Sequence, residues 1–197
     1  MAKIKSNIKN MVLSLSAVSV AMGAALGFVY VKTKEPIEKA KIQKEIDAIS
    51  TVVPKFDNNP KAEQYTSEGL ALYPAKVNGQ IVGTAIKTTT EKGFSGHIAI
   101  MVGMLPDGTI NTFTVLDQKE TPGLGTKMSE PKFKDQFSKK NPSEFKLIVK
   151  KDGGDVDAIT ASTITSRAVC EALQKAADAY QKGGKKWACL NILRMVY

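Results

Sequence analysis

The longest pattern in the chain is an unbroken apolar run near its start. Residues 11–30 read MVLSLSAVSVAMGAALGFVY and hold no charge. A helix of that length covers about 30 Å, the hydrocarbon thickness of a bilayer. Lys3, Lys5 and Lys9 precede the run, and Lys32 and Lys34 follow it. Phe28 and Tyr30 stand where interfacial aromatics are expected. The reading is a short segment over 1–10 and one transmembrane helix over 11–31. A cleaved signal peptide is the alternative. Its apolar region is shorter, about 7–15 residues, and ends at small residues rather than at Phe28, Val29 and Tyr30. Lysines on both sides leave the orientation open by charge.

A second helical pattern covers Glu35 to Val53, with Ile37, Ile42, Ile46, Ile49 and Val53 opposite charged positions. Pro36 suits the first turn of such a helix and Pro54 ends it. Residues 32–60 are therefore read as a lifting helix and linker. From Leu70 the period changes to that of strands. Two runs flank Asn78-Gly79 and two more flank Pro106-Asp107-Gly108, both hairpin signals. Met128 to Lys139 reads as a short amphipathic helix with Phe133 and Phe137 four apart. Residues 145–150, FKLIVK, read as one more strand, and Asp152-Gly153-Gly154 as a turn. Thr163 to Gln181 is the clearest soluble helix, with Ala168, Val169, Ala172, Leu173, Ala176, Ala177 and Tyr180 on one stripe. The class is α+β: an antiparallel sheet with a C-terminal helix, behind one N-terminal membrane helix. The tail over 185–197 has no assigned role.

Composition narrows this little. Among 197 residues, 43% are hydrophobic and 24% charged, which excludes a largely disordered chain. One His and two distant cysteines, Cys170 and Cys189, exclude a zinc site of the usual ligands and a disulfide-dense scaffold. No metal site is expected. The formal charge of +9 is compatible with several anionic partners. Nucleic acid is not expected, because basic and aromatic residues do not interleave.

Two segments carry candidate chemistry. In Asp157-Ala158-Ile159-Thr160-Ala161-Ser162-Thr163-Ile164-Thr165-Ser166, five hydroxyls gather where the last helix begins. Helix capping needs one of them. The other reading is a phosphate site, since a helix N-terminus offers free N–H donors and a partial positive charge. The second segment, Lys119-Glu120-Thr121-Pro122-Gly123-Leu124-Gly125-Thr126-Lys127, follows a strand and brackets Leu124 with glycines. A plain turn needs only the Pro-Gly, while two glycines suggest close approach of something flat or bulky. The GxGxxG and GxxxxGK[ST] nucleotide patterns are absent.

Together, Glu120-Thr121-Pro122-Gly123-Leu124-Gly125 and the later Asp157-Ala158-Ile159-Thr160-Ala161-Ser162-Thr163 resemble the covalent FMN-binding domain. That domain occurs in the G subunit of the Rnf electron-transport complex and in the C subunit of the sodium-translocating NADH:quinone reductase. The first motif is matched in full. In the second, Ala161 and Ser162 stand where the family has Gly and Ala, and Thr163 keeps the attachment position. Gln118 stands where many members have His. The total length favours the Rnf protein.

The resemblance implies an FMN-binding domain over 61–197 with FMN phosphoester-linked to Thr163. Glu120, Thr121, Gly123, Leu124, Gly125, Thr160, Ser162, Thr165 and Ser166 would surround the cofactor. Leu124 would pack the ring, and the spare hydroxyls would donate to the phosphate. The chain itself would turn over no substrate. It would be a redox subunit of an ion-translocating ferredoxin:NAD oxidoreductase in a bacterial inner membrane, its domain on the periplasmic side. Its partners would be the other subunits, a flavin transferase and the lipid bilayer. The rivals are the quinone-reductase homologue and, from another class, a flavin-free membrane-tethered assembly protein.

Overall fold

The computed structural model describes residues 7–184. The expected features at Lys3, Lys5, Cys189 and 185–197 lie outside the described residues. The chain divides into two compact units, residues 1–43 and 44–197.

The first helix, α1, runs from Ile8 to Val52 without a break. The sequence pattern suggested two helices, with Pro36 opening the second. Pro36 instead lies inside α1. Its ring removes one N–H from the ladder, and the turns on both sides carry good helix formers that keep the helix going. Among the described residues, α1 is the one helix long and apolar enough to cross a membrane, with a mean hydropathy of 2.0 over its most apolar window. Its apolar positions between Ile8 and Val31 are exposed.

The second unit is built on one antiparallel sheet of five strands in the order β1-β2-β3-β4-β5. The strands are β1 (Tyr65–Ser67), β2 (Leu70–Val77), β3 (Gln80–Gly93), β4 (Gly96–Met104) and β5 (Ile110–Gln118). Asn78 (φ 50°) and Gly79 (φ 81°) make the β2–β3 turn, as the Asn-Gly signal requires. Gly108 (φ 88°) closes the β4–β5 turn, where the Asp107 carboxylate accepts from the Thr109 amide at 2.8 Å. The two expected hairpins join through Gly93-Phe94-Ser95-Gly96, so the sheet is a continuous meander.

Alternation splits each strand between two cores. Leu72, Ile86, Ile98, Ile100, Val102 and Phe113 face the helix α3 (Thr163–Ala179). Its stripe of Ala168, Val169, Ala172, Leu173, Ala176, Ala177 and Tyr180 is buried there, as its spacing predicted. Tyr73, Ala75, Ala85, Ala99, Met101 and Leu116 face the other way and pack under Ala48, Ile49, Val52 and Val53. The end of the helix read as a spacer is therefore the sheet's second layer, and the compact unit takes it in from Lys44 on.

This layer is fitted closely. A Cβ on Gly103 would lie 1.9 Å from the Val52 carbonyl oxygen. Asn111 donates to that same oxygen at 2.8 Å, and the Lys44 ammonium reaches the Leu116 carbonyl. Glu45 accepts from both Lys61 (3.1 Å) and Lys87 (2.5 Å). Burial raises the pKa of its carboxyl, but the two lysines together outweigh this and hold it below the usual value.

Two further expectations are corrected. Residues 128–139 do not form one helix: a 3-10 turn over Gly125–Ser129 leads into α2 (Pro131–Lys134), and single turns follow. Ile110 draws the backbone away, since its carbonyl accepts from the Lys139 amide (2.7 Å) and its amide donates to Lys140 (2.9 Å). Phe133 and Phe137 still meet edge to face at 5.3 Å. Residues 145–150 form no strand. Leu147 and Val149 are buried and Ile148 is exposed, which is the strand period. Their ladder amounts to one bridge, Val149 to Val156, before a 3-10 turn over Lys150–Asp152.

Candidate functional site

Three loops meet at the N-terminus of α3. They are the β3–β4 turn at Phe94-Ser95, the segment after β5 from Lys119 to Lys127, and the segment 157–162. Glu120 joins them. It is 5% exposed, accepts from the Ser95 amide at 2.9 Å and accepts from the Thr165 hydroxyl at 2.7 Å. Gly125 packs directly against it: a Cβ there would sit 2.4 Å from a Glu120 carboxylate oxygen. A Cβ on Gly93 would lie 2.8 Å from the other.

This changes the account of the glycines. Gly125 serves the fit against Glu120. Gly123 (φ 76°) serves the turn, with open space where a Cβ would stand. The Gly123 amide donates to the Thr126 hydroxyl at 2.9 Å, and the Leu124 amide to the Thr121 carbonyl at 3.1 Å. Gly125→Val is expected to push Glu120 off its partners, to destabilise the domain by about 1–3 kcal/mol, and to lower any flavin loading. Denaturant unfolding and flavin absorbance check the two effects.

The hydroxyls also divide. Ser166 is fully buried; it donates to the Ser162 carbonyl at 3.0 Å and accepts from the Ile159 amide at 2.9 Å. Thr165 is held by Glu120. These two, expected as phosphate donors, are internal ties. Thr160 is exposed and lines a neighbouring groove with Lys127, Lys132 and Phe133. Thr163 and Ser162 line a cleft of about 330 Å³ together with Phe94, Glu120, Thr121, Leu124, Gly125, Ile164 and Thr165.

Helix capping by a hydroxyl does not occur. Ser162 is the N-cap residue, and its side chain makes no capping bond. The first intrahelical amide is that of Ser166, bonded to the Ser162 carbonyl at 3.0 Å. The amides of Thr163, Ile164 and Thr165 precede it, and a helix leaves such donors open to an anion. Leu124 (41% exposed), Ile164 (48%) and Phe94 (68%) put apolar surface on the cleft.

Ala161 has φ 62°, the left-handed region, and it stands where the FMN-binding pattern has Gly. Ala161→Gly is expected to relieve that strain and raise stability by up to about 1 kcal/mol, measured by denaturant unfolding.

Sequence reasoning missed three participants. Phe94 and Ser95 act from a turn 25 residues before Glu120, and their signal is only Gly93 and Gly96 on either side. Gln136 pairs with the peptide of Asp157 in both directions, donating to its carbonyl (3.2 Å) and accepting from its amide (2.7 Å). A single Gln on a turn carries no signal for this. His97 pairs with Glu91 at 2.6 Å, away from the cleft. Cys170 is buried, which pushes its thiol up to about 12 and leaves it inert as a nucleophile.

Nothing in this donor set resists FMN. The cleft lies within the usual range of small-molecule sites, about 300–1,000 Å³. It pairs an alcohol and a helix N-terminus with an apolar wall.

The family model described as "FMN-binding domain" matches residues 93–178, a stretch that starts at Gly93 and includes all three loops. The chain is 33% identical over 190 residues to the G subunit of the Na(+)-translocating ferredoxin:NAD(+) oxidoreductase complex of Acetobacterium woodii, covering 88% of this chain and 91% of that protein. It is 32% identical over 192 residues to the G subunit of the ion-translocating oxidoreductase complex of Aliivibrio fischeri, covering 89% and 91%. Among solved structures, the C subunit of the Na(+)-translocating NADH-quinone reductase from Parabacteroides distasonis matches with a TM-score of 0.47 at 27% identity, covering 67% of this chain and 78% of that one.

Proposed function

As this chain belongs to the family of G subunits of ion-translocating oxidoreductase complexes and carries an FMN-binding domain, we propose that it is the flavin-bearing relay of such a complex, with FMN joined through its phosphate to Thr163. The observation that carries this reading is the placement of Thr163. It is the half-buried alcohol in the cleft, and it stands at an α3 N-terminus that no side chain caps.

The residues then have distinct tasks. The open amides of the first turn, together with Ser162, hold the phosphate in place, and the helix dipole favours its charge. Leu124, Ile164 and Phe94 cover apolar ring surface and keep water from it. Glu120, Thr165 and Ser166 fix the backbone that presents Thr163. The flavin itself supplies the electron-accepting and electron-passing chemistry. Esterification from FAD joins the Thr163 oxygen to the flavin-side phosphorus, breaks the diphosphate bond to expel AMP, and moves the Thr163 proton to a base. Among the described residues of the cleft the one titratable side chain is Glu120, and both its oxygens are engaged by Ser95 and Thr165. A separate flavin transferase therefore performs the attachment, and the exposed Thr160, Ala161 and Ile164 leave the segment open to it.

The apolar residues 11–31 of α1 anchor the chain in the inner membrane in a single pass, with the domain on the periplasmic side. The other subunits of the complex receive and supply its electrons, between ferredoxin and NAD in the manner that the Acetobacterium woodii relative's name describes. The deciding experiment is intact mass spectrometry of the chain produced with a flavin transferase. The mass rises by one FMN less one water, and peptide mapping puts the increment on Thr163. An increment on Thr160, Ser162 or Thr165 would move the attachment point, and no increment would leave a flavin-free tethered protein.

A further inference from the structure

Glu120 has a feature that its hydrogen bonds do not explain. Both its oxygens accept bonds from neutral donors, the Ser95 amide and the Thr165 hydroxyl. Among the described residues, no Lys, Arg or His pairs with it. Elsewhere in this unit Glu45 and Glu171 each meet two lysines and Asp152 meets Arg167, while Asp57, Asp107 and Asp155, which accept from backbone amides alone, are exposed to water. Glu120 is the buried carboxylate, at 5% exposure, and it meets no cation among the described residues.

A neutral amide of the same shape would serve the fold equally well. Gln at 120 would keep one oxygen for the Ser95 amide. Its NH2 group would donate to the Thr165 oxygen, which can accept as readily as donate. Burying a charge without a counter-charge costs stability that burying an amide does not. What the carboxylate adds is its field. Glu120 lines the same cleft as Thr163, so that field enters the space where a group tethered at Thr163 would lie. Because Glu120 itself is buried, its charge is screened less than one held in bulk solvent.

Resting on the reading that FMN is carried by Thr163, we propose that Glu120 is an electrostatic tuning residue whose uncompensated negative charge lowers the reduction potential of the bound flavin. Reduction places electrons on the ring system, and a fixed negative charge facing it opposes that gain. The same residue ties two loops to the start of α3, so the tie sets how far the charge stands from the cofactor. Gly93 and Gly125 contribute by letting the carboxylate lie flat against their backbones, where a Cβ would displace it.

The test is Glu120→Gln in the full chain, produced in membranes with a flavin transferase beside the wild type. Intact mass first measures the covalent flavin on both. A spectroelectrochemical titration then gives each midpoint potential, and thermal unfolding reports the fold. The expected result is equal loading, unchanged or raised thermal stability, and a midpoint potential shifted to more positive values. An unshifted or more negative potential at equal loading overturns the proposal. Loss of loading in Glu120→Gln also overturns it, because the charge would then serve attachment. A wild-type chain without flavin on Thr163 fails earlier, at the mass measurement. That outcome removes the functional reading itself, and the proposal with it.

Discussion

Thr163→Val carries no covalent flavin and folds as the wild type does. The substitution keeps the branched shape and removes the hydroxyl that would form the ester. The N-cap position belongs to Ser162, and its side chain makes no capping bond, so the helix loses no cap. The stability change is therefore within about 0.5 kcal/mol, as for a substitution that breaks no contact. Reversible FMN binding survives weakly, because the open amides of the first turn remain. In-gel fluorescence of the denatured protein reads the first outcome, and thermal unfolding reads the second. Full fluorescence in this variant would place the bond on another residue.

The second large effect concerns the end of α1. A chain that begins at Glu35 retains the layer over the sheet and folds as a soluble domain. A chain that begins at Lys55 lacks Ala48, Ile49, Val52 and Val53, all buried against the sheet. Three of these are Ile or Val, and each contributes about 1.5–3 kcal/mol by burial. Their sum reaches the whole stability of an ordinary domain, about 5–15 kcal/mol. The Asn111 bond to Val52 and the Glu45 bridge to Lys61 and Lys87 are lost as well. The shorter chain is expected to aggregate or to lack cooperative unfolding, while the longer one shows a single transition by circular dichroism. A well-folded chain starting at Lys55 would mean that the layer is dispensable.

Much of this architecture can be read along the chain, because local chemistry decides it. Asn78-Gly79 takes up the two positive φ angles that its turn needs, and the Ala-rich stripe of α3 faces the core at every position named for it. The elements misread are those decided at a distance. Residues 145–150 alternate like a strand, yet their pairing stops at one bridge, Val149 to Val156. Residues 128–139 repeat like a helix until pairing with Ile110 takes the backbone away. Pro36 reads as a helix start, and its neighbours carry the helix through it.

The site divides in the same way. The placement of Thr163, in the cleft at the start of α3, is legible because one motif and one helix start coincide there. The roles of Thr165, Ser166 and Gly125 are not, because each depends on a partner in another segment. Thr165 answers to Glu120 across 45 residues, and Glu120 to Ser95 across 25. Hydroxyls near a helix start look alike along the chain, and only the fold shows which of them the protein has already used.

The layer formed by the end of α1 also has a timetable. Lys44 meets Leu116 across 72 residues, and Val52 meets Asn111 across 59. At synthesis rates of about 5–20 residues per second, roughly 4–14 s pass between the making of Lys44 and that of Leu116. Throughout that interval the apolar side of residues 48–53 has no sheet to lie on. The anchor is complete from the outset, but the surface that receives its last two turns is made much later, and Thr163 later still. Folding of the second unit therefore waits on long-range closure, which is slow by its topology.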